Sequence, residues 1–174
     1  GLRLEGAHVL LLGAGGAAAG VAPALLDAGI ASLAIRNRSE ARTAALVERL
    51  GDMRVRAQAW DAATDSPSRN EEPAAVAAAG VDLVINTTSA ARDDAGIDWP
   101  LPRERAPDWA AVDLGYGEAA LPFLDAATAR GAGVRIDGLG MLVEQAAESF
   151  ALWHGVRPDT APAYDMLRRA LASR

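Results

Sequence analysis

The chain has 174 residues, enough for one domain with a proper core, and 51% of it is apolar, much of that alanine. A net charge of −6 gives no electrostatic footprint for nucleic acid or an anionic membrane surface. No run approaches the roughly 18 apolar residues that span a bilayer, and the absence of cysteine excludes disulfides and thiolate metal sites and suits a cytoplasmic protein.

Taken in order, apolar runs bounded by Gly, Asp or Asn alternate with longer segments of helical period, the pattern of βαβ units around a parallel sheet. The first strand is expected at His8–Leu12 and runs into the glycine cluster of VLLLGAGGAAAG, Val9–Gly20. A helix follows over about Gly16–Ala28, with Pro23 inside it expected to kink it. Gly13, Gly15 and Ala18 form G-x-G-x-x-A in a strand–turn–helix context. Gly13 suits the tight turn, Gly15 a close approach of backbone to a pyrophosphate, and Ala18 close helix–strand packing. The bare N–H groups at the helix start, aided by its dipole, would hold the phosphates. A bend without a ligand is the competing reading of the same glycines.

The second strand, Ser32–Arg36, ends in AIRNRSEAR, with Arg36, Asn37, Arg38, Ser39 and Arg42 where an NAD site usually carries an acid. An acid there would repel a 2′-phosphate, whereas guanidinium groups bind it through charge-assisted bonds. Arg42 lies one turn beyond Arg38, and positive charge at this helix start opposes the dipole unless an anion belongs there. NADP is therefore the expected cofactor, against both NAD and S-adenosylmethionine. The alternative is a solvated arginine-rich helix start.

Further along, the helix Glu40–Leu50 and the strand Val55–Ala59 are followed by a polar loop, Thr64–Glu72, and a helix over about Pro73–Ala79. Strands are expected at Asp82–Asn86, Ala110–Leu114 and Gly133–Ile136, with a helix at about Ala119–Arg130 before the last. The loop Ala90–Pro107 carries three prolines and the charges Arg92 to Asp94. The fold class is a doubly wound, mainly parallel six-stranded α/β sheet, with 1–137 as its core and 138–174 as C-terminal helices. In the first of these, Leu142, Ala146, Phe150 and Trp153 fall on one face, Gln145 sits at its edge, and Glu144 and Glu148 point away. A last helix near Pro162–Ala172 carries Tyr164, Leu167 and Leu171. These faces either finish the sheet or pack on a domain missing from this chain.

All 17 basic residues are arginine, so no lysine acid–base is available, and the chain begins at Gly1, as a segment cut from something longer would. His8 and His154 are far apart in sequence, are read as structural or surface residues, and no metal site is expected.

The strings GAGGAA, NRSEAR, VINTTS, DLGY and DGLGMLVEQAAESFALWHG stand in the order and spacing of shikimate dehydrogenases. The chain resembles the NADP-binding, Rossmann-type domain of that family, and the GLGMLVEQA segment is the most specific part. The resemblance implies that Gly13, Ala14, Gly15, Gly16, Ala17 and Ala18 bind the pyrophosphate, and Asn37, Arg38, Ser39 and Arg42 the 2′-phosphate. It places Thr87, Thr88 and Ser89 along the cofactor groove and Leu114, Gly138 and Met141 beside the nicotinamide. Tyr116 and Gln145 match residues that reach the substrate, where a phenol and an amide can hydrogen-bond a polyhydroxylated ring. Asp113 is expected to be a structural anchor.

The reaction implied is reversible hydride transfer between NADPH and 3-dehydroshikimate, giving shikimate. In the family a lysine and an aspartate on an N-terminal substrate domain manage the proton and the hydroxyl, so no catalytic residue is expected in this chain. Two departures fall near the nicotinamide: GEAALPFL after Tyr116, where the family often has proline then threonine, and Ala90–Ala91, where it often has glycine. A quinate or aminoshikimate dehydrogenase and a non-catalytic NADP-binding module are the alternatives. A glutamyl-tRNA reductase fold would leave GLGMLVEQ unexplained.

Overall fold

In a computed structural model, residues 2–60, 80–89, 98–101 and 109–172 are described. The expected helix at Pro73–Ala79, the loop Thr64–Glu72, the charges Arg92–Asp94 and the pair Ala90–Ala91 lie outside these residues.

The described elements are β1 (His8–Leu12), α1 (Gly16–Asp27), β2 (Ser32–Arg36), α2 (Glu40–Leu50), β3 (Val55–Gln58), β4 (Leu83–Asn86) and β5 (Ala110–Asp113). A 3-10 turn at Gly117–Ala120 leads into α3 (Leu121–Ala129), followed by β6 (Val134–Ile136), α4 (Leu139–His154) and α5 (Ala161–Ala172). The strands form one six-stranded sheet in the order β3-β2-β1-β4-β5-β6, and every neighbouring pair is parallel. Strand order reverses between β1 and β4, so their carboxyl ends flank the crevice where doubly wound sheets bind ligands.

The four inner strands β2, β1, β4 and β5 are largely apolar runs because both faces are covered, whereas the edge strands β3 and β6 carry arginine and are largely exposed. Val9 and Leu11, with Leu33, Ile35 and Ile85, pack against the small face of α1, Ala18 and Ala22. Leu10 and Leu12 face the other way, toward Phe123 and Ala127 of α3. Trp99 and Leu101 enter that second core from a segment expected to be loop, and Trp99 meets Phe123 edge-on at 5.2 Å between ring centroids. The alanines of α1 let it lie close to the sheet, and the helix continues through Pro23. His8 is structural: its Nδ1 lies 2.8 Å from the Ser32 hydroxyl in the next strand. His154, at the end of α4, stacks on Phe150 at 4.3 Å.

In α4 the apolar stripe singled out by its period is not the one that finishes this sheet. The buried face of α4 is Leu139, Val143 and Ala147, whereas Leu142, Phe150 and Trp153 are exposed, Trp153 at 79%. The helix carries two apolar stripes, their centres roughly 65° apart at 100° per residue. The stripe that abuts this chain's own fold is the shorter one, and the bulkier one is left facing outward. In α5 the expected stripe holds, with Tyr164, Leu167 and Leu171 its half-buried positions.

Candidate functional site

The site begins where β1 stops. Gly13 has φ +110°, and a Cβ there would run into the Thr87 hydroxyl, so the residue must be glycine to keep the turn and this contact. Thr87 is itself fixed beside it, its N–H and its hydroxyl both donating to the Leu12 carbonyl at 2.8 Å. Gly15 is different. Its φ of −93° suits any residue, and a Cβ on it would meet nothing within 4 Å. Protein packing therefore gives no reason for glycine at that position, whereas a ligand lying against the backbone would.

Helix α1 starts at this turn with no side-chain cap and no acid in its first turn. Its N–H groups and the positive end of its dipole are thus open to an external anion. Gly15 and Gly16 share a cleft of about 340 Å3 with Arg42 and Arg49 of α2. Arg49 was not foreseen there. It stands seven residues, two helical turns, beyond Arg42, and that spacing was the available signal.

At the end of β2 the structure divides the expected group. Ser39 is the N-cap of α2, its hydroxyl accepting from the Arg42 N–H at 3.5 Å, and Asn37 donates to the Ser39 carbonyl at 3.1 Å. These two shape the turn. The guanidinium groups of Arg38 and Arg42 are exposed, with no ion pair or hydrogen bond to another described residue. Arg36 instead turns into the sheet and donates to Gln58 of β3 at 2.9 Å.

The carboxyl ends of β4 and β5 are joined by a buried network. Asn86 donates to Asp113 Oδ2 at 2.8 Å, and Asp113 Oδ1 accepts the Gly115 N–H at 2.7 Å. The other end of the Asn86 amide accepts from the Thr88 N–H and hydroxyl at 3.0 and 2.7 Å. Asp113 is thereby an anchor for the turn after β5, and Asn86 sets the course of Thr87–Thr88–Ser89. Thr87 and Thr88 are half-buried along the crevice and Ser89 is exposed.

Leu114, Gly138 and Met141 come together in a second cleft, of about 470 Å3. Gly138 is forced: a Cβ there would collide with the Leu114 carbonyl, and its N–H donates to the Gly115 carbonyl at 2.7 Å. Tyr116 and Gln145 are exposed and do not line this cleft. The unforeseen members are Asp137 from the β6–α4 junction and Tyr164 and Arg168 from α5. Arg168 pairs with Asp137 through both nitrogens of its fork, at 3.0 and 2.9 Å. Burial pushes the Asp137 carboxyl up, but bonds from Arg168, Gly117 and Leu139 outweigh it and hold it below the ordinary aspartate range. Its bond to Asp137, with one to Tyr164, raises the Arg168 guanidinium.

Chemically, the arrangement offers binding and orientation. Asp113 and Asp137 have both carboxylate oxygens engaged, and no group of His, Asp and Glu among the described residues is arranged to hold a metal ion. Among the described residues no helix is long and apolar enough to cross a membrane.

Comparison with known proteins bears on this geometry. The family model described as Shikimate / quinate 5-dehydrogenase matches residues 2–92, and that described as Shikimate 5'-dehydrogenase C-terminal domain matches residues 138–168. Shikimate dehydrogenase (NADP(+)) of Xanthomonas euvesicatoria is 49% identical over 179 residues, which takes in 97% of this chain and 56% of the relative. The enzyme of the same name from Xylella fastidiosa is 50% identical over 169 residues, 96% of this chain and 56% of the relative. Among solved structures, shikimate 5-dehydrogenase of Thermus thermophilus in complex with shikimate matches with a TM-score of 0.70 and 36% identity, over 98% of this chain and 56% of that one. The chain spans just over half the length of the relatives it matches.

Proposed function

The chain belongs to the shikimate / quinate 5-dehydrogenase family, and we propose that it is the NADP-binding domain of an NADP-dependent shikimate dehydrogenase. The observation that carries the reading is the open start of α1: an uncapped helix, a Gly15 that packing does not demand, and Arg42 in the same cleft. These residues fit a dinucleotide whose pyrophosphate lies on the turn Gly13–Ala18. The unpartnered guanidiniums of Arg38 and Arg42 take the 2′-phosphate, on a turn that Asn37 and Ser39 hold in shape. Thr87, Thr88 and Ser89 border the crevice, and Leu114, Gly138 and Met141 border the nicotinamide.

When bound, NADPH supplies the hydride for 3-dehydroshikimate, and the reverse reaction oxidises shikimate. This chain's part is to bind and orient, with Tyr116 and Gln145 presenting neutral hydrogen-bonding groups to the substrate's hydroxyls. As the family resemblance implies, proton transfer falls to a lysine and an aspartate on an N-terminal substrate domain, and the lack of lysine in this chain agrees with that division. The exposed stripe Leu142, Phe150 and Trp153 on α4 is the surface that domain would cover. The cysteine-free composition suits the cytoplasm as the place of action.

Calorimetry tests the cofactor. NADPH should bind much more tightly than NADH, and equal affinities would sink the 2′-phosphate assignment. The chain by itself should not oxidise shikimate, and measurable turnover would overturn the assignment of proton transfer to another domain.

A further inference from the structure

Asp137 is left unexplained by the binding roles above, although it lines the nicotinamide-side cleft. Its side chain is only 11% exposed, and donors from three separate segments converge on its two oxygens. Arg168 of α5 spans both. The Gly117 N–H reaches Oδ2 and the Leu139 N–H reaches Oδ1, each at 3.4 Å. Arg168 is itself held in place, donating to the Tyr164 hydroxyl at 2.8 Å with its guanidinium 5.2 Å from the centre of that ring. Gly117 follows Tyr116 directly, and Leu139 opens the helix that carries Met141 and Gln145.

We propose that Asp137 is a positioning residue for the nicotinamide end of the groove, tying the Tyr116–Gly117 turn, the start of α4 and helix α5 into one wall. The inference rests on the reading of the chain as an NADP-binding domain. An aspartate that served only as a helix cap would need just the N–H groups of its own first turn. Asp137 also accepts from a turn 20 residues earlier and from a side chain 31 residues later. A two-pronged guanidinium–carboxylate contact fixes direction as well as distance, so it orients α5 and does not merely attract it. The carboxylate charge also suits the positive end of α4. The fold does not hang on this residue, because Gly138 N–H to Gly115 carbonyl, at 2.7 Å, joins the same two turns independently. What Asp137 adds is the angle at which Tyr116, Met141 and Gln145 are presented.

The test measures binding of two probes to the full 174-residue chain. NADPH carries both ends of the cofactor, whereas adenosine 2′,5′-bisphosphate carries the phosphate end and no nicotinamide. Asp137→Asn should weaken NADPH roughly tenfold and abolish any enhancement of its fluorescence on binding, while the bisphosphate stays within about twofold. Arg168→Met, on an exposed helix, should act in the same direction and less strongly. Equal loss of both probes would mean a merely structural role and overturn the proposal, as would NADPH binding that is unchanged. Should Asp137→Asn fail to fold, Arg168→Met decides: selective weakening of NADPH supports the proposal, and no change overturns it. A wild-type chain that bound neither probe would overturn the cofactor reading, and this inference with it.

Discussion

Helices α1 and α4 both start at glycine-bearing turns on the carboxyl edge of the same sheet, yet their amino ends are treated in opposite ways. At α1 the cap is Gly15, no acid lies in the first turn, and a Cβ on Gly15 would point into open space. At α4 the junction residue is Asp137, whose carboxylate accepts the Leu139 N–H and is balanced by Arg168. The dipole of α4 is answered by an anion from its own chain, and that of α1 is left for an anion from outside. The same local motif, strand then glycine then helix, thus builds one fixed junction and one open start, the place proposed above for the cofactor phosphates. What separates them is which glycine the protein itself needs.

Substitutions at the two starts should separate them. The largest effect is expected at the fixed junction, where Gly138→Ala would drive a Cβ into the Leu114 backbone and cost on the order of 3 kcal/mol, read as a fall in the urea midpoint. At the ligand site, Arg38→Ala should cost about 1.5–3 kcal/mol in NADPH binding and leave NADH binding alone, as calorimetry can show. Gly15→Ala sharpens the contrast. It should change stability by less than about 0.5 kcal/mol, because poorer capping and a stiffer unfolded chain nearly cancel. NADPH affinity should nevertheless fall by about tenfold, or ~1.4 kcal/mol. If Gly15→Ala instead destabilised the fold while binding normally, the two starts would be alike.

The smallest effect concerns acid. The folded Asp137 carboxyl lies below the ordinary aspartate value of about 3.9, so its contribution is fully present above about pH 4. It is lost as pH falls through the lowered value. Urea midpoints measured from about pH 5 down to about pH 3 should therefore fall less steeply for Arg168→Met than for the parent chain. A parallel fall in both would remove the anion from the account of α4.

Much of the fold was legible from local pattern. Apolar runs ending at Gly13, Asn37 and Asp113 mark strands within about a residue of their observed ends, since a parallel strand buried on both faces leaves little else for such runs to be. The glycine turn and the arginines after β2 were legible for a similar reason: their chemistry lies in adjacent residues. Local pattern left open which way α4 faces, because its two neighbouring apolar stripes make the period ambiguous. It also missed Trp99 and Leu101, because a loop that feeds a core has no periodicity to betray it.

The amino-acid sequence by itself determined the parallel α/β architecture, the glycine-bearing turn and the positive charge beside it, all set by short-range sterics and residue type. Only the tertiary structure decided which stripe of α4 is buried and that Asp137 meets Arg168. Those outcomes depend on segments up to 31 residues apart being brought within hydrogen-bonding distance. No local preference encodes such a meeting, because it is the packed sheet and its helices that set where each side chain ends.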